Sequence, residues 1–218
     1  MEKMPYHPDM SEGARTATGL APVVTSDWHR GLPVITSGRV TIRDLRMSDA
    51  RSLFTMLAGH EVARFISPPP STVDGFERFI EWTHRRREEG TYVCFAIVPV
   101  GYDDAVGIIQ VRQMDLSWDT AEWGFAIGAP FWGTGAFLES ARLVVDFVFE
   151  TIGVHRLEAR AAVRNGRGNG ALSKLGAVRE GLLRRSFLRD GEYLDQVLWS
   201  VVREDWMQSK AVWSDRIH

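Results

Sequence analysis

The run "TAEWGFAIG" followed by "APFWGTGAFLESARLVVDF", residues 120–147 with Gly128 closing the first piece, most restricts the folds open to this chain. The first piece is short, aromatic and partly alternating, and it ends in Gly128 and Pro130, which predicts a strand. Beyond it, Leu138, Ala141, Val145, Val148, Phe149 and Ile152 recur at spacings of three and four, while Glu139, Arg142, Asp146 and Glu150 take the other side. That pattern predicts an amphipathic helix. A helix beginning at a turn presents unpartnered N–H groups and about half a positive charge there. Gly133 and Gly135 carry no β-carbon, so the backbone can take unusual dihedrals and a bulky anion can approach it closely. The expected guest is a phosphate or pyrophosphate, and the plain alternative is a turn whose glycines serve tightness alone. No G-x-x-x-x-G-K-[ST] is present, and a dinucleotide fingerprint would need a glycine where Leu138 stands, so both of those phosphate loops are set aside.

The 218 residues, 44% of them hydrophobic, suit one domain with an extension. A net charge of −2 supplies no field for nucleic acid or an acidic membrane, so the expected partner is small or locally bound. The "RNGRGNG" segment would need a basic face to bind RNA, which that balance does not support. Cys94, the single cysteine, excludes an intrachain disulfide and a multi-cysteine zinc site, and "YVCFAIV" around it predicts a buried thiol. No metal site is expected. No run of about 18 apolar residues exists, and the polar start does not resemble a signal peptide, so a cytoplasmic protein is expected.

Residues 1–30 read as a flexible extension, 31–210 as a single domain and 211–218 as a tail. Within the domain, Val40–Leu45 predicts a strand and 47–59 a helix started by Ser48 or Asp49. Three prolines at 68–70 predict a rigid extended segment before a helix capped by Ser71 or Thr72. The "HRRREE" run at 84–89 reads as a solvated helix end. Residues 92–100, 105–115 and 120–128 predict an antiparallel meander. After the glycine-turn helix come a strand (155–164), a short helix (about 168–175) and two strands turning at Arg189-Asp190-Gly191. The fold class is α/β (α+β), one mixed sheet with helices on both faces and the glycine turn at its centre.

That order, with "PFWGTGAFLESA" opening the third long helix, resembles the GNAT acetyltransferase superfamily. Residues 155–206, with Asn165, "KLGA" and "EGLLR" in order, are similar to the C-terminal half of its RimJ/RimL-like group, which acetylates ribosomal-protein N-termini and other amines. The resemblance covers about residues 34–206. It implies a mostly antiparallel sheet with a splayed wedge, in which the backbone amides of Trp132, Gly133, Thr134, Gly135 and Ala136 hold the pyrophosphate of acetyl-coenzyme A. The same resemblance has Phe125, Ala126 and Ile127 flank the pantetheine arm, and Asn165 contact the cofactor, where the alternative is a turn-forming Asn. The implied activity is acetyl transfer from acetyl-coenzyme A to a primary amine, on a protein N-terminus or a small molecule. A sensor that binds acyl-coenzyme A without turnover is the alternative, and a homodimer is allowed. The "SPPPS" loop and the hairpin at 186–193 are expected to frame the acceptor.

Pro130 stands where relatives often have Gln or Arg. Gly168 and Leu172 stand where relatives often have a Ser or Tyr that protonates the thiolate. A water, Tyr193 from the last hairpin, or departure as bare thiolate remain to fill that role. Glu122 is the candidate base, directly or through water, against the alternative of a solvent-exposed strand-end carboxylate, and a backbone N–H within 123–126 is the candidate oxyanion donor. His155 and Glu158 fall on opposite strand faces and receive no catalytic role.

Overall fold

The computed structural model describes residues 27–215, with side chains to Lys210; most of the expected N-terminal extension lies outside the described residues. The strands are β1 (Ile35–Thr36), β2 (Val40–Asp44), β3 (Tyr92–Pro99), β4 (Gly107–Gln113), β5 (Thr120–Ile127), β6 (Arg156–Ala162), β7 (Val178–Arg189) and β8 (Glu192–Val202). They form one sheet in the order β1-β2-β3-β4-β5-β6-β8-β7. Every neighbouring pair is antiparallel except β5 with β6. The helices are α1 (Asp49–Leu57), the single turn α2 (His60–Ala63), α3 (Val73–Glu88), α4 (Ala136–Phe147), α5 (Gly166–Leu175) and α6 (Arg203–Asp215).

Strand β3 is buried along its whole length because helices cover both its faces. Val93, Phe95 and Ile97 alternate onto the side where Ala141, Val144, Val145 and Phe147 of α4 pack. Cys94, Ala96 and Val98 turn to the other side, against Leu53 and Leu57 of α1 and Phe76 and Ile80 of α3. Period two in the strand thus meets period 3.6 in the helices, and each fully buried Leu, Ile or Phe contributes about 1.5–3 kcal/mol. Cys94 is the buried thiol expected, and burial pushes its pKa up, with Asp44 adding to the effect.

Helix ends follow local chemistry. Thr72 caps α3, its hydroxyl accepting from Gly75 N–H at 3.0 Å. Asp190 and Gly191 both have positive φ, +49° and +81°, the geometry of a two-residue hairpin turn whose twist matches its strands. A buried ion pair ties α1 to the sheet: Asp49 receives Arg43 Nη1 and Nη2, each at 2.8 Å, and also accepts from the N–H groups of Arg46 (2.7 Å) and Ala105 (2.9 Å).

Three details differ from the sequence reading. Residues 27–30, expected in the extension, pack on the domain: Trp28 is buried, stacks on His29 and meets Trp118 edge-on, and the His29 carbonyl accepts from Arg87. Arg87 is accordingly not solvated with the rest of its run, because it lies four residues after Thr83 on the buried side of α3. Finally, α6 continues across the expected boundary at 210. Trp206 Nε1 donates to Asp146 at 2.7 Å, and Lys210 Nζ lies 2.7 Å from Glu150 and 2.9 Å from Asp146, anchoring the helix to α4 and the π-helical turn Val148–Ile152 that follows it.

Candidate active site

Strands β5 and β6 pair over only three residues, Thr120 with Arg156, Ala121 with Leu157 and Glu122 with Glu158, and then part. Gly128 N–H donates to the Val106 carbonyl and the Thr120 carbonyl accepts from Met114, so by strand alternation the even-numbered residues of β5 face β4. Odd-numbered residues therefore face β6: the Glu122–Glu158 pairing engages the Trp123 N–H, and beyond it the Trp123 carbonyl and the backbone of Phe125 and Ile127 turn toward the opening. A cavity of about 680 Å³ enters it, floored by Gly124, Phe125 and Ala126 and walled by Ala159 and Ala161 of β6 and by Asn165, Gly168 and Leu172. On the opposite side it is bounded by Ser67–Pro70, Phe76 and Phe79, and by Phe187 of the last hairpin. Both segments expected to frame an acceptor thus border the cavity.

The glycine turn follows β5. Residues Ala129–Phe131 form one 3-10 turn, then Gly133 (φ +75°) and Gly135 (φ +88°) take left-handed conformations and α4 begins at Ala136. The five amides expected to hold an anion divide here. Among the described residues, the N–H groups of Gly133, Thr134 and Gly135 have no acceptor, and neither do those of Phe137 and Leu138. Trp132 N–H is taken by Ala129 O at 3.1 Å because the 3-10 turn closes on it, which removes it from the set. Ala136 N–H makes a long bond, 3.3 Å, to Thr134 Oγ1. The Ile127 carbonyl is likewise occupied, by Trp132 Nε1 at 3.0 Å, and Ile127 does not line the cavity.

Two arginines border this turn that the sequence reading did not single out. Arg39 Nη1 donates to Thr134 O at 3.3 Å, and the guanidinium of Arg167 lies 4.1 Å from the Trp132 ring centre. They come from β2's leading edge and from α5, so no local spacing links them to the glycines. With the free N–H groups and the helix dipole, they make a site whose chemistry fits a pyrophosphate.

Asn165 is a helix-capping residue that also borders the cavity. Its Oδ1 caps α5 by accepting from Gly168 N–H at 2.9 Å, while its Nδ2 has no partner among the described residues and the residue lines the cavity. Gly168 is held to glycine by this contact, since a β-carbon there would lie 2.6 Å from Asn165 Nδ2. Leu172 forms a buried apolar wall. Neither position supplies a proton donor.

Glu122 lines the cavity, but its side chain is only 16% exposed, and both oxygens are engaged: Oε2 by Arg112 and Oε1 by Arg160. It is not the solvent-exposed carboxylate of the alternative reading. Protonating either oxygen would weaken its pairing with a guanidinium. Arg160 also faces Glu158, and Arg156 joins Glu158 at 2.9 Å to Glu180 on β7, so charges of alternating sign cross the sheet from β4 to β7. Glu180 is held low, at about 2, by Arg156 and then Ser200, against the opposing effect of burial. His155 stands apart, 3.6 Å from Glu204.

Tyr193 does not line the cavity. It is cross-strand neighbour to Leu188, and both are more than half exposed, whereas the adjacent pair, Phe187 and Leu194, turns inward. Period two therefore carries the Tyr193 hydroxyl to the outer face, away from the position expected of a proton donor. The sequence reading missed Tyr92, a buried tyrosine on the cavity wall whose hydroxyl donates to Gln110 Oε1 at 2.5 Å and whose pKa is pushed up by burial. Among the described residues no group of His, Cys, Asp and Glu converges as a metal site, and no helix is long and apolar enough to cross a membrane.

Comparison with known proteins agrees with this geometry. A family model described as an acetyltransferase (GNAT) domain matches residues 39–178. The uncharacterized N-acetyltransferase p20 of Bacillus licheniformis is 25% identical over 169 residues, covering 77% of this chain and 95% of the relative. The [ribosomal protein uS5]-alanine N-acetyltransferase of Escherichia coli is 23% identical over 180 residues, covering 79% and 92%. The solved structure of Mycobacterium smegmatis RimJ in complex with CoA-disulfide superposes with a TM-score of 0.73 at 20% identity, over 82% of this chain and 90% of that one.

Proposed function

The chain belongs to the acetyltransferase (GNAT) domain family and is an acetyl-coenzyme A-dependent acyltransferase, and from that premise we propose that it acetylates a primary amine, on a protein N-terminus or a small molecule. The observation that carries the reading is the opening between β5 and β6, where unpaired strand backbone faces a cavity with the glycine turn beyond it. The free amides of Gly133, Thr134 and Gly135, with Arg39 and Arg167, hold the pyrophosphate. The Trp123 carbonyl and the backbone of Phe125 pair with the amide-bearing pantetheine arm, and Asn165 Nδ2 donates to it.

In the reaction the amine nitrogen bonds to the acetyl carbon, the carbon–sulfur bond breaks and sulfur leaves with the electron pair. A β5 backbone N–H receives the developing oxyanion. With Glu122 clasped by two arginines, the acceptor's own neutral fraction supplies the nucleophile, which suits an α-amine of pKa about 7.7–8 far better than a lysine near about 10.4. The proton passes to solvent, and the thiolate departs bare or with a proton from water. A cytoplasmic location and a homodimer belong to this reading as well.

The test is a thermal-shift titration followed by thiol release with an amine panel. Acetyl-coenzyme A at about 100 times its dissociation constant should add about 2.7 kcal/mol. No shift with acetyl-, propionyl- or free coenzyme A defeats the cofactor site, and a shift without thiol release with any amine favours the sensor.

A further inference from the structure

The acceptor end of the cavity is rich in hydrogen-bond donors and poor in acceptors. Gln110 has its carbonyl oxygen occupied by the Tyr92 hydroxyl, which leaves its NH₂ group to face out. That amide lies over β5 at Gly124, where even a β-carbon would come within 3.2 Å of Nε2. Gln196 also lines the cavity, with its Oε1 3.0 Å from Ser186 Oγ, a hydroxyl that lies 3.1 Å from the Leu183 carbonyl as well. Among the described residues neither amide nitrogen has a partner.

Charge follows the same pattern. Glu122 is the one carboxylate lining the cavity among the described residues, and both its oxygens are taken. Arg112 gives Glu122 a single nitrogen and makes no other hydrogen bond among the described residues; its side chain is 56% exposed. A ligand with a second ammonium group would meet two guanidinium groups and no free carboxylate. A ligand with an anionic oxygen would find planar N–H donors to spare, the geometry that guanidinium groups offer to carboxylate and phosphate alike.

Resting on the acetyl-transfer reading above, we infer that the acceptor is a small primary amine carrying an oxyanion, carboxylate or phosphoryl, in the same molecule and no second cationic group. Arg112 takes the oxyanion, Gln110 Nε2 takes a neutral oxygen, and the Phe76 and Phe79 wall takes the apolar part. The transfer itself is the one already written, with the amine proton released to solvent.

The experiment measures thiol release from acetyl-coenzyme A by the full chain, with kcat/KM expressed per neutral amine, for phenylalanine, O-phosphoethanolamine, 2-phenylethylamine and spermidine. Phenylalanine or O-phosphoethanolamine should exceed 2-phenylethylamine and spermidine at least tenfold, and which of the two leads tells carboxylate from phosphoryl. Arg112→Ala should lower kcat/KM about tenfold more for the leading oxyanion-bearing amine than for 2-phenylethylamine; Arg112→Lys should restore part of that difference, mainly through KM. A thermal melt of each variant controls for folding. Preference for spermidine or 2-phenylethylamine, or an equal loss on every amine in Arg112→Ala, overturns the inference while acetyl transfer stands. Release with no amine at all, despite a cofactor shift, removes the transfer reading and this inference together.

Discussion

Gly168→Ser places a hydroxyl where related acetyltransferases often carry one, and it is expected to damage the site instead of improving it. The added β-carbon would stand 2.6 Å from Asn165 Nδ2 and 2.9 Å from its Cγ, so the Asn165 carboxamide must swing away. Its bond to the residue 168 N–H, now 2.9 Å, is then lost, and with it the cap of α5. A cap of this kind is worth about 0.5–2 kcal/mol, while exchanging glycine for serine within a helix returns about 0.5 kcal/mol. The net loss is up to about 1.5 kcal/mol, or roughly 3–6 °C in Tm for a chain of this size. Under the proposed binding mode the displaced amide also withdraws its donor from the cofactor arm, which at about 1.4 kcal/mol is a tenfold loss in affinity. Asn165→Asp separates the two effects, because aspartate caps as well as asparagine but offers no N–H donor. Apo Tm should stay within about 2 °C while acetyl-coenzyme A affinity falls about tenfold. Thermal melts with and without cofactor, backed by calorimetric titration, provide the assay. If Gly168→Ser binds acetyl-coenzyme A with unchanged affinity and melts no lower, the coupling of residues 165 and 168 is refuted.

Gly135→Val puts a β-branched residue at φ +88°, a strain of about 1–3 kcal/mol, and should abolish the acetyl-coenzyme A thermal shift; a folded variant with normal affinity would reduce the turn to a structural role. Glu122→Gln leaves Arg112 and Arg160 without their shared carboxylate, so KM for the amine should change with kcat held within about threefold; a fall of one to three orders of magnitude in kcat, with the residual rate climbing with pH, would identify a base after all. Tyr193→Phe should alter turnover by less than about threefold, and a hundredfold loss in steady-state rate would contradict its outward placement. Asp49→Ala should cost about 3–5 kcal/mol in chemical denaturation by stranding the buried Arg43. Burial raises the Asp49 pKa, but Arg43 and two backbone N–H groups outweigh it and hold the pKa below the ordinary value. The stabilisation is therefore complete above about pH 4 and is lost as pH falls through the lower folded-state value. A wild-type protein and an Asp49→Asn variant with the same acid-unfolding midpoint would contradict this.

Local pattern made the main strands and helices of the sheet legible in the sequence, because apolar spacing reports directly which side of an element is buried. The left-handed glycines, the Asp190-Gly191 turn and the Asn165 cap belong to the same class, being decided within four residues of chain. What the sequence could not give was set by contacts across long separations. Arg39 reaches Thr134, Arg112 and Arg160 converge on Glu122 from strands on either side, and Arg87 is drawn inward by the His29 carbonyl. Tyr193 is instructive in the opposite sense: it lies in the segment expected to frame the acceptor, yet a shift of one residue along a strand reverses the face, and only the register with Leu188 decides it. Tyr92 escapes notice because a tyrosine at the head of a continuous apolar run reads as core until its partner on β4, Gln110, is known.

The short contact between β5 and β6 also has a mechanical meaning. Eight strands share one order, yet three residue pairs are all the ladder that joins the five strands on one side to the three on the other. On the α4 side the two portions are glued by continuous apolar packing through Trp123, Leu157 and Ala159; on the reverse side they meet across the cavity and the ion pairs of Glu122. The sheet thus has a seam, packed with apolar side chains on one face and bridged by ion pairs on the other. The amide hydrogen of Phe125, just past the last pair, should exchange with solvent sooner than those of β3 and β4. A ligand that runs down the seam and bonds to both edges would act as a splint, extending across the opening the connection that the ladder makes over three residue pairs.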